Sequence, residues 1–208
     1  MRPATDALPK PMLPVRGKPL LEHQLEWLKA SGLTRVRMCL GYKAEAVSAY
    51  FGDGSRWGVT LTYHVEASPR GTAGCLKDAG LTGTTLVVYG DLFVSMDARR
   101  LLAFHEEHKA QATLVLRRTD HPHDSDLAQL DGWRVVSVGR GGAGDLGLAA
   151  VWVVEPALLD LAPADAPSDF GRDVFPAALK AGRPLAGYVT DEQVVDLGTP
   201  ERLARFGA

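Results

Sequence analysis

The sequence predicts an α/β fold: a mostly parallel sheet flanked by helices, with a mixed edge. Strand-like apolar runs alternate with helical spacing through the first half, which implies right-handed crossovers between parallel strands. Leu86-Val87-Val88-Tyr89 is a nearly unbroken apolar run, as expected of a parallel strand covered on both faces. Beyond Lys109, strand candidates follow one another without intervening helices, which suits a mixed edge. The 208 residues suit one domain spanning 1–208, and 46% hydrophobic with 23% charged residues disfavours large-scale disorder.

Each element has a local reason. Leu20, Leu21, Leu25 and Leu28 follow helical spacing, with Gln24 among them and Gly32 available to close the helix. Val36 to Leu40 reads as a strand ending at Gly41, and Ala44 to Phe51 as a helix stopped by Gly52-Asp53-Gly54. Val59 to Val65 is strand-like, and Thr72 to Ala79 is a short helix after a glycine turn. Asp97 can cap a helix through His108, with Leu101, Leu102, Phe104 and His105 on its inner face. Strand candidates then run over Thr113–Leu116, Leu127–Leu130, Trp133–Val138 and Leu148–Val154, with Gly139 to Gly144 as a flexible loop. Helices follow over Pro156–Leu161 and Phe170–Lys180, then strands over Leu185–Val189 and Val194–Leu197. Thr199-Pro200-Glu201 starts a final helix, with proline in its first position.

A formal net charge of −2 offers no general attraction to nucleic acid or an anionic membrane, so anionic substrates need local donors. Two cysteines, Cys39 and Cys75, make neither a disulfide framework nor a zinc site. The start has no apolar signal region, and the longest apolar run, near Leu146 to Val154, falls far short of a membrane span. These features predict a soluble, cytoplasmic protein.

Ligands of open α/β sheets sit outside the carboxyl ends of the strands, and Asp91 follows Leu86 to Gly90 at such an end. A carboxylate there suits a hard cation such as magnesium. Asp196, ending another short strand beside Gly198, offers a second, although each aspartate alone would serve equally well to cap a turn. Lys10, between Pro9 and Pro11, sits on a stiff loop that can hold an ammonium against phosphate oxygens; alone it reads as a solvated loop lysine. Gly71-Thr72-Ala73-Gly74 is a small-residue turn that permits close approach of a ligand. His121-Pro122-His123-Asp124-Ser125-Asp126 contains a D-x-D and two histidines but follows a polar turn, so a capped surface loop outweighs a transition-metal site.

The blocks Ala7-Leu8-Pro9-Lys10-Pro11-Met12-Leu13-Pro14, Gly71-Thr72-Ala73-Gly74, Tyr89-Gly90-Asp91 and Val195-Asp196-Leu197-Gly198-Thr199-Pro200 stand in the order found in sugar-1-phosphate nucleotidyltransferases, which the chain resembles from Arg2 to Phe206. The segments around Asp126 and Ser168-Asp169-Phe170-Gly171-Arg172-Asp173 resemble members acting on mannose-type or heptose-type 1-phosphates. The resemblance implies a Rossmann-like nucleotide-diphospho-sugar transferase fold lacking its first strand. It also implies nucleotidyl transfer from an NTP, GTP by preference, to a sugar 1-phosphate. Asp91 and Asp196 would bind Mg2+, Lys10 the triphosphate, and Gly71, Thr72, Ala73 and Gly90 the nucleotide. Arg140 and Asp126 would face the sugar.

Three departures bear on activity. The family's G-G-x-G-T-R segment is absent, and Met1 stands where the family usually has leucine, so the natural protein is expected to be longer. Val138-Gly139-Arg140-Gly141-Gly142 lacks the lysine of an E-K-P block, leaving Arg140 as the substitute cation. Leu148-Ala149-Ala150 replaces an N-A-G. An uncovered strand edge would favour a homodimer. Two alternatives remain open at this level: an impaired homologue that binds nucleotide or sugar and regulates a partner, and a glycosyltransferase using Asp124-Ser125-Asp126.

Overall fold

The computed structural model describes residues 8–119, 121–141 and 144–207; Met1 to Ala7, Gly142 and Ala143 lie outside the described residues. In chain order come β1 (Pro14–Val15), β2 (Lys18–Pro19), α1 (Leu20–Ala30), β3 (Arg35–Leu40), α2 (Ala44–Phe51), β4 (Thr60–Val65), α3 (Gly71–Ala79) and β5 (Thr85–Val88). Then follow β6 (Leu92–Ser95), α4 (Ala98–His108), β7 (Ala112–Arg118), β8 (Asp126–Asp131), β9 (Arg134–Arg140) and β10 (Leu146–Val154). The chain ends with α5 (Phe175–Lys180), β11 (Leu185–Val189), β12 (Gln193–Asp196) and α6 (Pro200–Gly207).

Contacts divide the chain into two compact units, each assembled from separated stretches. The first comprises Met1–Ser68, Tyr89–Ala98 and Glu192–Ala208. Within it β3 and β4 pair in parallel from Arg35↔Thr60 to Leu40↔Val65. Met12, Leu25, Met38, Val47, Phe51, Trp57 and Leu61 form its core, because α1 and α2 turn their apolar stripes inward. A second cluster joins Val15, Leu20 and Leu197 to Phe93, Leu203 and Phe206, seating α6 against the β1–β2 hairpin.

The second unit comprises Pro69–Val88 and Arg99–Asp191 and holds a six-stranded sheet of order β5-β10-β7-β11-β9-β8. A single pair, Gly147↔Leu127, joins β8 back to β10, so five of these strands close into a ring of pairings. Leu114, Leu116, Val151, Val153, Phe170, Phe175 and Leu185 are buried in this unit. His105 is buried too, yet satisfied: Nδ1 lies 2.8 Å from Thr113 Oγ1 and Nε2 3.1 Å from Glu155 Oε1.

The expected elements appear, but the sheets are mixed instead of mostly parallel. Among the described residues the parallel pairings are β3–β4 and β7–β11; the others are antiparallel. The cause is connection length: β8, β9 and β10 follow one another through turns too short for a parallel crossover. β10 then lies antiparallel to both β5 and β7. Two elements went unanticipated, the β1–β2 hairpin and β6. Among the described residues, no helix is long and apolar enough to cross a membrane.

Candidate active site

Lys10 opens a 3-10 turn over Lys10–Met12, started by Pro9 at φ −68° and ψ 152° and closed by the Leu13 amide donating to the Lys10 carbonyl at 3.0 Å. Met12 and Leu13 are buried, which leaves Lys10 exposed on an anchored, proline-stiffened loop. Gly90 lets this loop approach: a Cβ there would stand 3.1 Å from Pro11 Cγ.

Asp91 and Asp196 are brought together by a pairing the sequence did not reveal. β6 and β12 run antiparallel with Asp196 opposite Leu92, and the Leu197 amide donates to the Asp91 carbonyl at 2.9 Å. A Cβ on Gly198 would lie 2.7 Å from Asp196 Oδ1 and 3.5 Å from Asp91 Oδ2, so both carboxylates face one small volume that glycine keeps open. Burial raises the Asp91 pKa, and the Asp196 charge raises it further; its own backbone amide and the Lys10 ammonium pull the other way. Asp196 is half exposed; its Oδ1 accepts from the Gly198 amide at 2.6 Å and its Oδ2 from Arg202 Nη1 at 2.6 Å.

Gln24 completes the arrangement. Its buried Nε2 donates to the carbonyls of Tyr89 at 2.8 Å and Leu92 at 2.7 Å, clamping the backbone on both sides of Gly90-Asp91. The available signal was a lone amide inside the apolar stripe of α1.

In the second unit, Gly71 adopts φ +73° at the start of α3, and a Cβ there would sit 2.5 Å from the Ser168 carbonyl oxygen. That carbonyl accepts from the Ala73 and Gly74 amides at 2.9 and 3.2 Å, while the Ser168 amide donates to the Arg70 carbonyl at 2.9 Å. Thr72 Oγ1 donates to Asp169 Oδ2 at 2.6 Å and accepts from the Phe170 amide at 3.1 Å. The Thr72 hydroxyl and the Ala73 amide thus hydrogen-bond a neighbouring loop of this unit. Asp169 Oδ1 meanwhile caps the π-turn Phe170–Val174 through the Gly171 and Arg172 amides.

Asp126 and Arg140 stand opposite each other in the β8–β9 ladder. A Cβ on Gly171 would meet Asp126 Oδ2 at 3.1 Å and Leu148 Cδ2 at 3.6 Å, so β8, β10 and the π-turn converge there. The His121–Ser125 stretch is a capped turn: Ser125 Oγ donates to the His121 carbonyl at 2.9 Å, and the His121 amide to Thr119 Oγ1 at 3.1 Å.

Two carboxylates facing one volume suit a hard, oxygen-preferring cation that keeps several waters or phosphate oxygens as its remaining ligands. Among the described residues no group of three or more His, Cys, Asp or Glu side chains converges, so substrate oxygens would have to complete such a site.

This arrangement coincides with a family match. Residues 1–131 match the nucleotidyl transferase family model, and the chain belongs to that family. A mannose-1-phosphate guanylyltransferase of Mycobacterium tuberculosis is 34% identical across 100% of this chain and 60% of the relative, so the chain spans about three fifths of that protein. A D-glycero-alpha-D-manno-heptose 1-phosphate guanylyltransferase of Aneurinibacillus thermoaerophilus is 26% identical across 97% of this chain and 89% of its own length. Among solved structures, a Bacillus anthracis protein provisionally described as a glucose-1-phosphate thymidylyltransferase superposes with a TM-score of 0.87 at 22% identity, covering 100% of this chain and 88% of that one. That likeness supports the nucleotide-diphospho-sugar transferase fold alone.

Proposed function

We propose that the chain transfers a guanylyl group from GTP to a mannose-type or heptose-type sugar 1-phosphate, releasing pyrophosphate and a GDP-sugar. The carrying observation is the convergence of Asp91 Oδ2 and Asp196 Oδ1 on one volume, with the Lys10 charge acting on Asp91. The guanylyl preference rests on the names of the two relatives above.

In this reaction a phosphate oxygen of the sugar 1-phosphate attacks the α-phosphorus of GTP. The bond from that phosphorus to the α,β-bridging oxygen breaks, and pyrophosphate carries away the electron pair. No proton or redox partner is required, so the protein's task is positioning and charge neutralisation. A magnesium ion held by Asp91 and Asp196 would supply positive charge to the phosphate oxygens. Lys10 adds an ammonium from its stiff turn, and Gln24 keeps Asp91 aimed. Asp126 and Arg140 serve the sugar, and the Gly71–Ala73 turn shapes the nucleotide side. The substrates are small anions of the cytoplasm, and neither nucleic acid nor membrane takes part.

Pyrophosphate release, followed with Mg2+, GTP and mannose 1-phosphate or D-glycero-D-manno-heptose 1-phosphate, tests the reading against UTP or dTTP with glucose 1-phosphate. Faster release with GTP supports it. Release only with UTP or dTTP overturns the base assignment, and release unaltered in Asp91→Asn overturns the site.

A further inference from the structure

We propose that Arg202 is a resident counter-ion of the aspartate pair: its guanidinium neutralises Asp196 through one oxygen and so opposes a divalent cation held through the other. The inference rests on the reading of Asp91 and Asp196 as the cation site.

The two oxygens of Asp196 have different duties. Oδ1 faces the volume shared with Asp91 Oδ2, while Oδ2 accepts from Arg202 Nη1 at 2.6 Å. An ion pair with both side chains about half exposed usually contributes little. Here, however, the carboxylate also stands beside a like charge, Asp91, which is mostly buried and feels the repulsion. Two carboxylates against Lys10 and Arg202 leave the group balanced without a metal. A divalent cation arriving alone would then meet two resident positive charges, whereas one arriving with a triphosphate brings negative charge with it.

The helix holds Arg202 in place. Thr199 Oγ1 accepts the Arg202 amide at 3.2 Å, starting α6 directly after Gly198. Leu203 and Phe206 pack onto Val15, Leu20 and Leu197. The rings of Phe93 and Phe206 lie 4.6 Å apart, and the Arg16 guanidinium covers both, 5.6 and 4.6 Å from their centroids. The guanidinium is therefore delivered to Asp196 by a packed element.

Mn2+ binding, read by the loss of the free-ion electron paramagnetic resonance signal without nucleotide, tests this in wild type, Arg202→Gln, Arg202→Lys, Arg205→Gln and Asp91→Asn. Arg202→Gln should tighten Mn2+ binding about fivefold at low ionic strength, the factor shrinking with added salt. Arg205→Gln removes the same charge three residues along the same helix and should change affinity less than about twofold. Arg202→Lys keeps the charge but loses the guanidinium fork, so its affinity should fall between wild type and Arg202→Gln. It serves as the second variant should Arg202→Gln melt early. Wild-type binding that Asp91→Asn abolishes but Arg202→Gln leaves equal or weaker overturns the counter-ion while sparing the metal site. Binding that Asp91→Asn leaves intact in wild type and Arg202→Gln alike overturns the metal site and Arg202's role together.

Discussion

The Asp91 carbonyl accepts the Leu197 amide at 2.9 Å, continuing the β6–β12 ladder one residue beyond the Leu92↔Asp196 pair. With the β6–β12 pairing it brings Asp91 and Asp196, distant along the chain, to one small volume. Asp91→Asn and Asp196→Asn should each lower kcat/KM for pyrophosphate release by about a hundredfold or more, the scale of losing a preorganised charge at a reacting phosphate.

The pH dependence follows from the same pair. Burial, then the Asp196 charge, raises the Asp91 pKa, so deprotonating Asp91 is harder in the folded protein than in the unfolded chain. Its contribution to stability is fully present below the unfolded value and lost as pH rises through the folded one. Metal-free Asp91→Asn should accordingly melt above wild type at neutral pH, a gap that closes in acid. Mn2+ affinity should fall as pH drops through the raised value. Equal melting temperatures across the range would contradict this account.

Gly198→Ala isolates the shared volume from the fold. The new methyl would stand 2.7 Å from Asp196 Oδ1, the movable tip of a side chain, so the carboxylate gives way more easily than the backbone. Metal affinity and activity should drop at least about tenfold, with stability changed by under about 1 kcal/mol, as for a substitution that clashes only with a mobile group. Calorimetry and Mn2+ titration on one sample separate the two effects.

Gln24→Leu removes both donors to the carbonyls flanking Gly90-Asp91. Losing two hydrogen bonds from a buried amide costs about 1–3 kcal/mol. Loss of aim at Asp91 should also lower kcat beyond what the fraction unfolded explains. Urea unfolding gives the first figure, and activity per folded molecule gives the second.

How much of this was legible depended on the range of the signal. Helix α2 was expected over Ala44–Phe51 and occupies those residues, because flanking glycines and a local apolar stripe mark both ends. Asp91 and Asp196 were each visible at a strand end, but their meeting depends on β6, four residues long and flush against Gly90-Asp91, too short to show a period. The bonds of Thr72 to Asp169 and Phe170 bridge 97 and 98 residues, a separation that no local pattern encodes. Arg202 carries no local mark in the sequence, since pairing with Asp196 is a matter of geometry and not of spacing.

Ala150 carries the last prediction. It sits at φ +54° inside β10, where the register against β7 shifts between Leu148 and Trp152. Leu148, at the start of this irregularity, has its Cδ2 3.6 Å from where a Cβ on Gly171 would stand, and a glycine at position 150 would adopt the backbone without strain. A left-handed alanine is strained by about 1–2 kcal/mol, while glycine loses about 0.5–1 kcal/mol more through the entropy of the unfolded chain. Ala150→Gly should therefore leave stability unchanged or raise it by up to about 1.5 kcal/mol. Ala150→Val, which strand propensity favours, should instead cost about 2 kcal/mol, because a β-branched side chain is poorly accommodated at positive φ. Urea midpoints of the two variants, compared at equal m-values, read the difference directly. If valine were tolerated as well as glycine, the bulge would not be holding Ala150 in that conformation.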